Sequence, residues 1–166
     1  MAMRAKAVIQ NNGLIIQKAN YTCGPVSLLN VLRLKGDGAY SEPELAQICK
    51  ARPGSGTDNN DLVVAAKQIG LEVVEVRQNA TIADIERHLD NAAYVIINYF
   101  EAFSQDGHYS VVTDYDEHAL YIADCYDGFL RITKKYFPRW WHNSDGSIVG
   151  WFMALRWPTL LVCLLY

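Results

Sequence analysis

Residues Thr22-Cys23-Gly24-Pro25-Val26-Ser27-Leu28-Leu29-Asn30-Val31-Leu32 set a cysteine at the mouth of an apolar helix. Val26, Leu28, Leu29, Val31 and Leu32 recur at near-helical spacing, and Gly36 and Gly38 stop the run. Pro25 fits a first helical turn, and Gly24 allows close approach of the chain. A thiol at that place feels the positive end of the helix macrodipole, which favours the nucleophilic thiolate. The competing reading of Cys23 is a small buried apolar side chain, common for free cysteine. From position alone the two readings stand even.

Working outward, helical signals dominate the first half. Ser41-Glu42-Pro43-Glu44 is a capping box that opens a helix carrying Leu45, Ile48 and Cys49. Thr57 or Asp58 caps a third helix, which Gly70 ends, and Thr81 caps a fourth with Ile82, Ile85 and Leu89 on one face. The second half reads as strands: 93–100, 108–114, 119–125, 129–133 and 148–156, joined by short turns. Helices followed by an antiparallel sheet make the expected class α+β.

The chain has 166 residues, of which 51% are hydrophobic and 20% charged, enough for a full core without metal or disulfide staples. With 15 basic against 18 acidic residues, the net charge of -3 argues against a nucleic-acid partner. No secretory signal and no apolar stretch of membrane-spanning length is visible. Cys23, Cys49, Cys125 and Cys163 form no C-x-x-C pair, so reduced thiols and a cytoplasmic location are expected. The apolar tail from Pro158 to Tyr166 has no assigned role, and the oligomeric state is open.

A thiolate acting on an acyl group needs a proton shuttle and a group to orient it. His88, on an amphipathic helix beside Arg87, reads as part of a solvated face. His118 lies in a turn and His142 in a loop. His108 opens a strand. A hairpin turning at Asp116 to His118 sets His108 opposite Asp124, within cross-strand reach. Asp114 and Asp127 compete for the carboxylate role but fit less well. The late aromatics, including Trp140, Trp141, Trp151 and Phe152, read as core and sheet packing. The segment 51–60 reads as a connection between helices or, less directly, as a cleft rim. Cys49 reads as a helix core residue, and Cys125 as structural.

Gln17, five residues, then Cys23-Gly24-Pro25, with Gly107-His108 and Ala123-Asp124 later, resemble the peptidase C39 and C39-like papain-fold domains. The resemblance runs from Gln17 to about Arg156. It implies a papain-like α+β fold in a single domain over residues 1–157, with no metal or organic cofactor. It implies that Cys23 is the nucleophile, His108 the general base and acid, Asp124 the residue orienting the histidine, and Gln17 an oxyanion donor. The implied partner is a peptide or protein substrate. The best-known members are transporter domains that cut leader peptides after Gly-Gly. Tyr21-Thr22 and Val26-Ser27 around the cysteine agree with a looser group that includes stand-alone proteins. The expected activity is that of a stand-alone cysteine peptidase. The alternatives are an amidase, deamidase or acyltransferase with the same residues, or a non-catalytic peptide-binding module.

Overall fold

The structure is a computed structural model that describes residues 13–158 apart from 35 and 103; the apolar tail beyond Pro158 lies outside the described residues. Helices α1 (Cys23–Leu34), α2 (Glu42–Ile48) and α3 (Asn59–Gln68) come first. They are followed by strand β1 (Glu72–Arg77), helix α4 (Ile82–Asp90) and strands β2 (Tyr94–Glu101), β3 (Asp106–Tyr115), β4 (Ala119–Asp124) and β5 (Gly128–Thr133). A 3-10 turn at Phe137–Arg139 precedes the last strand, β6 (Trp151–Arg156). The six strands form one antiparallel sheet in the order β1-β6-β2-β3-β4-β5.

The expected helix ends are in place. Ser41 with Glu44 and Thr81 with Asp84 form capping boxes, and Asp58, not Thr57, caps α3 by accepting from the Asn60 amide. Gly36 and Gly70 sit at positive φ just past α1 and α3, where a left-handed residue closes the last turn. Helix α1 is buried along all its length except Arg33; its apolar side chains pack on both neighbours and sheet, and the buried Asn30 is satisfied by the Ile15 backbone. It packs with α2 and α3 against one face of the sheet, meeting Ile96, Tyr109, Val111 and Met153. No helix among the described residues is long and apolar enough to cross a membrane.

The other face carries α4 and the loop after β5, with Ile85, Phe137 and Trp141 packed on Val95, Ile97, Val112 and Phe152. The sheet is thus buried on both faces, which is why β2 reads as an unbroken apolar run rather than an alternating one. Strand β1 has no counterpart in the sequence reading, and it changes the environment of α4. Its Glu75 accepts a 2.7 Å hydrogen bond at His88 Nε2, and the His88 ring meets Phe152 edge-on. His88 is therefore buried, not part of a solvated face. The aromatics divide: Phe137, Trp141, Trp151 and Phe152 are core, while Tyr136 and Trp140 are exposed.

The connection into β6 depends on one close approach. Gly150 has φ +59, its amide donates to Trp141, and its carbonyl accepts from Ala80. A Cβ there would stand 2.8 Å from the Ala80 amide nitrogen and 2.9 Å from its carbonyl oxygen, whereas Gly54, at φ +80, faces open space. In urea denaturation Gly54→Ala is expected to cost about 1–2 kcal/mol, the left-handed penalty alone. Gly150→Ala is expected to cost about twice that or more, because backbone must also move. Equal losses at the two positions would remove the steric argument.

Candidate active site

The site is assembled where the start of α1 meets the ends of β3 and β4. Its approach segment, residues 13–22, has no regular structure and is held by side chains. Asn30, buried in α1, clasps Ile15: its Oδ1 accepts from the Ile15 amide at 2.9 Å and its Nδ2 donates to the Ile15 carbonyl at 3.1 Å. The Gln17 amide donates to the Cys125 carbonyl at 2.8 Å. The Glu42 carboxylate accepts from the amides of Lys18 and Ala19 and from the Thr22 hydroxyl. These clips fix Gln17 and Cys23, both only 7% exposed, relative to one another.

Asp124, 1% exposed at the end of β4, is saturated with donors. Its Oδ2 accepts from His108 Nε2 at 2.8 Å, Ser110 Oγ at 2.6 Å and Tyr99 Oη at 2.9 Å. Its Oδ1 accepts from the amides of Tyr126 and Asp127. The strand register differs from the expected one: Ser110, not His108, stands opposite Asp124, and a bulge follows between Val112 and Asp114. His108 lies one same-face step along β3, so it reaches the carboxylate diagonally. Asp127 contributes only its amide to this cluster.

The imidazole of His108 is held from three sides. Tyr126 stacks on it with ring centroids 5.4 Å apart, Tyr99 meets it edge-on at 5.6 Å, and Asp124 fixes the ring plane. Burial disfavours its cation, but the hydrogen bonds to Asp124, Cys125 and Cys23 outweigh that and hold it well above the ordinary histidine range. Burial likewise opposes the Asp124 anion, yet the His108 and Ser110 bonds hold its carboxyl below the usual carboxylate range. With Nε2–H given to Asp124, proton exchange falls to the other ring nitrogen.

Gln17 and Cys125 complete the neighbourhood. Gln17 Nε2 donates to the Ala19 carbonyl at 2.6 Å. That oxygen can only accept, so it fixes which end of the amide faces it. Gln17 Oε1 then accepts from the Cys125 thiol at 2.8 Å. Cys125 Sγ also lies 3.7 Å from His108 Nε2. Sequence reasoning gave Cys125 no place in the site; its signal was the position immediately after Asp124. Burial pushes the Cys125 thiol up to about 11 and the Cys49 thiol up to about 12. Cys49 is core, as expected. Donor atoms of His108, Asp124 and Cys125 lie within 4.8 Å of one another, a spacing a metal could use. Here the ring nitrogen and the carboxylate are already joined through a proton.

A cleft of about 540 Å³ opens on Cys23. Its walls are mostly polar: Asn98, Tyr109 and Asn59 on one side, with residues 54–58 alongside. Asn59 Oδ1 accepts from both Asn98 Nδ2 and Tyr109 Oη, tying the start of α3 to the sheet. The segment 51–60 is thus a cleft wall as well as a helix connection.

Three comparisons bear on this arrangement. The sequence model of the peptidase C39 family matches residues 11–144. An uncharacterized protein of Methanothermobacter marburgensis is 31% identical over 134 residues, covering 81% of this chain and 86% of that protein. One from Methanothermobacter thermautotrophicus is 29% identical over 126 residues, covering 76% and 80%. Among solved structures, the peptidase domain of Streptococcus ComA, a bi-functional ABC transporter involved in a quorum sensing pathway, superposes with TM-score 0.67 at 24% identity. That likeness covers 87% of this chain and 98% of that one. A C39-like protein from Bacillus anthracis gives TM-score 0.68 at 15% identity, covering 91% and 97%. A double-glycine-motif protease from an AMS/PCAT transporter, in complex with the leader peptide, gives 0.61 at 18%, covering 86% and 88%. The structural likenesses speak to the papain-like α+β fold, and the match across residues 11–144 to ancestry: this chain belongs to the peptidase C39 family.

Proposed function

We propose that this protein is a cysteine peptidase in which Cys23 is the nucleophile, His108 the proton carrier, Asp124 its orienting partner and Gln17 an oxyanion donor. The observation that carries the reading is the buried imidazole of His108, hydrogen-bonded to Asp124, in a fold where Cys23, among the groups that raise its proton affinity, lines a cleft. A thiol, an imidazole and a carboxylate in series are the parts that acyl transfer through a thioester needs.

In this reading His108 takes the Cys23 proton and the sulfur attacks the substrate carbonyl carbon. The carbonyl π electrons move to oxygen, where the Cys23 amide and the second Nε2–H of Gln17 receive the charge. Collapse breaks the C–N bond, and the leaving amine takes its proton from His108. Water then adds to the thioester, giving its proton to His108, and the acid departs as the sulfur is reprotonated. Asp124 keeps Nε2 protonated throughout, so the ring presents its other nitrogen to the sulfur and the leaving group. The mostly polar cleft fits a peptide backbone, rich in amides, better than an apolar ligand.

Cys23→Ala is expected to abolish cleavage of a peptide library read by mass spectrometry. In the parent, iodoacetamide at pH 7 is expected to label Cys23 ahead of Cys49 and Cys125, whose raised values keep them protonated there. Labelling of Cys125 first would overturn the assignment. His108→Ala is expected to cost about as much turnover as Cys23→Ala, since the two act as a unit; residual activity of half the parent's would sink the pairing. The pair also predicts a pH signature. Asp124, held low, adds stability that is present above the unfolded value near 3.9 and lost as pH falls through the folded value. His108, held high, adds stability fully present below about 6.5 and lost as pH rises through its folded value. The stability difference between the parent and Asp124→Asn in urea is therefore expected to peak between about pH 4 and 6.5. A difference flat from pH 3 to 9 would remove the charged pair.

A further inference from the structure

We propose that Cys125 is a positioning residue for the reaction: its thiol hydrogen holds the Gln17 side-chain amide in the orientation that leaves one Nε2–H for the oxyanion. The inference rests on the reading of Cys23 as nucleophile and Gln17 as oxyanion donor.

Three contacts define the Gln17 amide, and two of them come from residue 125. The Cys125 carbonyl accepts the Gln17 backbone amide at 2.8 Å, and the Cys125 thiol donates to Gln17 Oε1 at 2.8 Å. The third is the bond from Nε2 to the Ala19 carbonyl at 2.6 Å. With Oε1 and one Nε2–H engaged on opposite sides, rotation of the terminal torsion is blocked. Such a torsion is otherwise broad and two-fold. Only one amide hydrogen then remains, and its direction is set. Without the thiol donor, Oε1 would be a buried acceptor with no partner, a state that costs enough to drive the amide to another rotamer.

Cys125 is suited to donating rather than attacking. It is fully buried, and burial keeps its proton on. Its other neighbours, the carbonyls of Tyr109 and Cys23 and the Nε2 of His108, lie at 3.7, 3.9 and 3.7 Å, all longer than the bond to Gln17, and that Nε2 is engaged with Asp124. Asp124 and Cys125 are consecutive, so the end of one strand serves the proton carrier with one residue and the oxyanion donor with the next.

The test uses two reactions of the same sulfur. Acylation of Cys23 by p-nitrophenyl acetate passes through a tetrahedral oxyanion, whereas alkylation by iodoacetamide does not. The readout is the ratio of the two rate constants, with the modified residue identified by mass spectrometry. Cys125→Ala is expected to lower the ratio about tenfold, the effect of losing one hydrogen bond, with alkylation unchanged. Cys125→Ser, which keeps a donor, is expected to stay within about threefold of the parent. Gln17→Ala is expected to lower the ratio about 10²-fold, and adding Cys125→Ala to it should lower it no further. The proposal is overturned if Cys125→Ala leaves the ratio at the parent value, or lowers alkylation equally. It is also overturned if Cys125→Ser falls as far as Cys125→Ala, or if the double variant falls below Gln17→Ala. If the ester fails to acylate Cys23 in the parent protein, the nucleophile assignment falls instead.

Discussion

The Asp124 carboxylate is the constraint around which this molecule is organised. An anion taken out of water is costly unless donors replace the lost solvent, and five donors converge on it from β2, β3 and the turn after β4. Each donor is fixed by the sheet register, and each is thereby tied to the others. Tyr99 and His108 face one another across β2 and β3, Ser110 faces Asp124 across β3 and β4, and Tyr126 closes over the ring. A side chain with a mobile imidazole thus becomes a rigid one. What holds the histidine is the sheet itself rather than any single contact.

The second half of the site is built differently. The nucleophile candidate stands on a helix buried on nearly every side, but Gln17 lies in a segment without regular structure. Precision there comes from side chains reaching back to backbone, Asn30 to Ile15 and Glu42 to Lys18 and Ala19, and from the Cys125 thiol meeting the Gln17 side chain. A loop secured this way can be positioned as well as a strand while exposing its remaining polar groups toward a cleft.

Much of this was legible in the chain. The helix starts carry capping residues that act locally, and local chemistry is what a sequence displays. The pairing of His108 with Asp124 was foreseen, but its register was not: the turn is centred further along the chain, with Tyr115 opposite Leu120, and the bulge between Val112 and Asp114 recovers only one residue of the difference. Strand β1 was missed since Glu72-Val73-Val74-Glu75-Val76-Arg77 lies among helices and pairs only with β6, far along the chain. The burial of His88 followed from that omission. The contacts of Glu42 and Asn30 could not be read at all, because each depends on a partner brought near by tertiary structure alone, and Cys125 showed only its place next to Asp124.

The order of strands also bears on how the protein comes into being. The last strand, β6, sits between β1 and β2. During synthesis on the ribosome, the helices, His108 and Asp124 all emerge before the segment that joins the sheet's first strand to the rest. Until then β1 and β2 present open edges of unpaired amides and carbonyls, the surface on which nascent chains aggregate. A ribosome stalled shortly before residue 151 would therefore leave a chain holding every member of the site, with β1 still unpaired and a sheet able to recruit a strand from its neighbour.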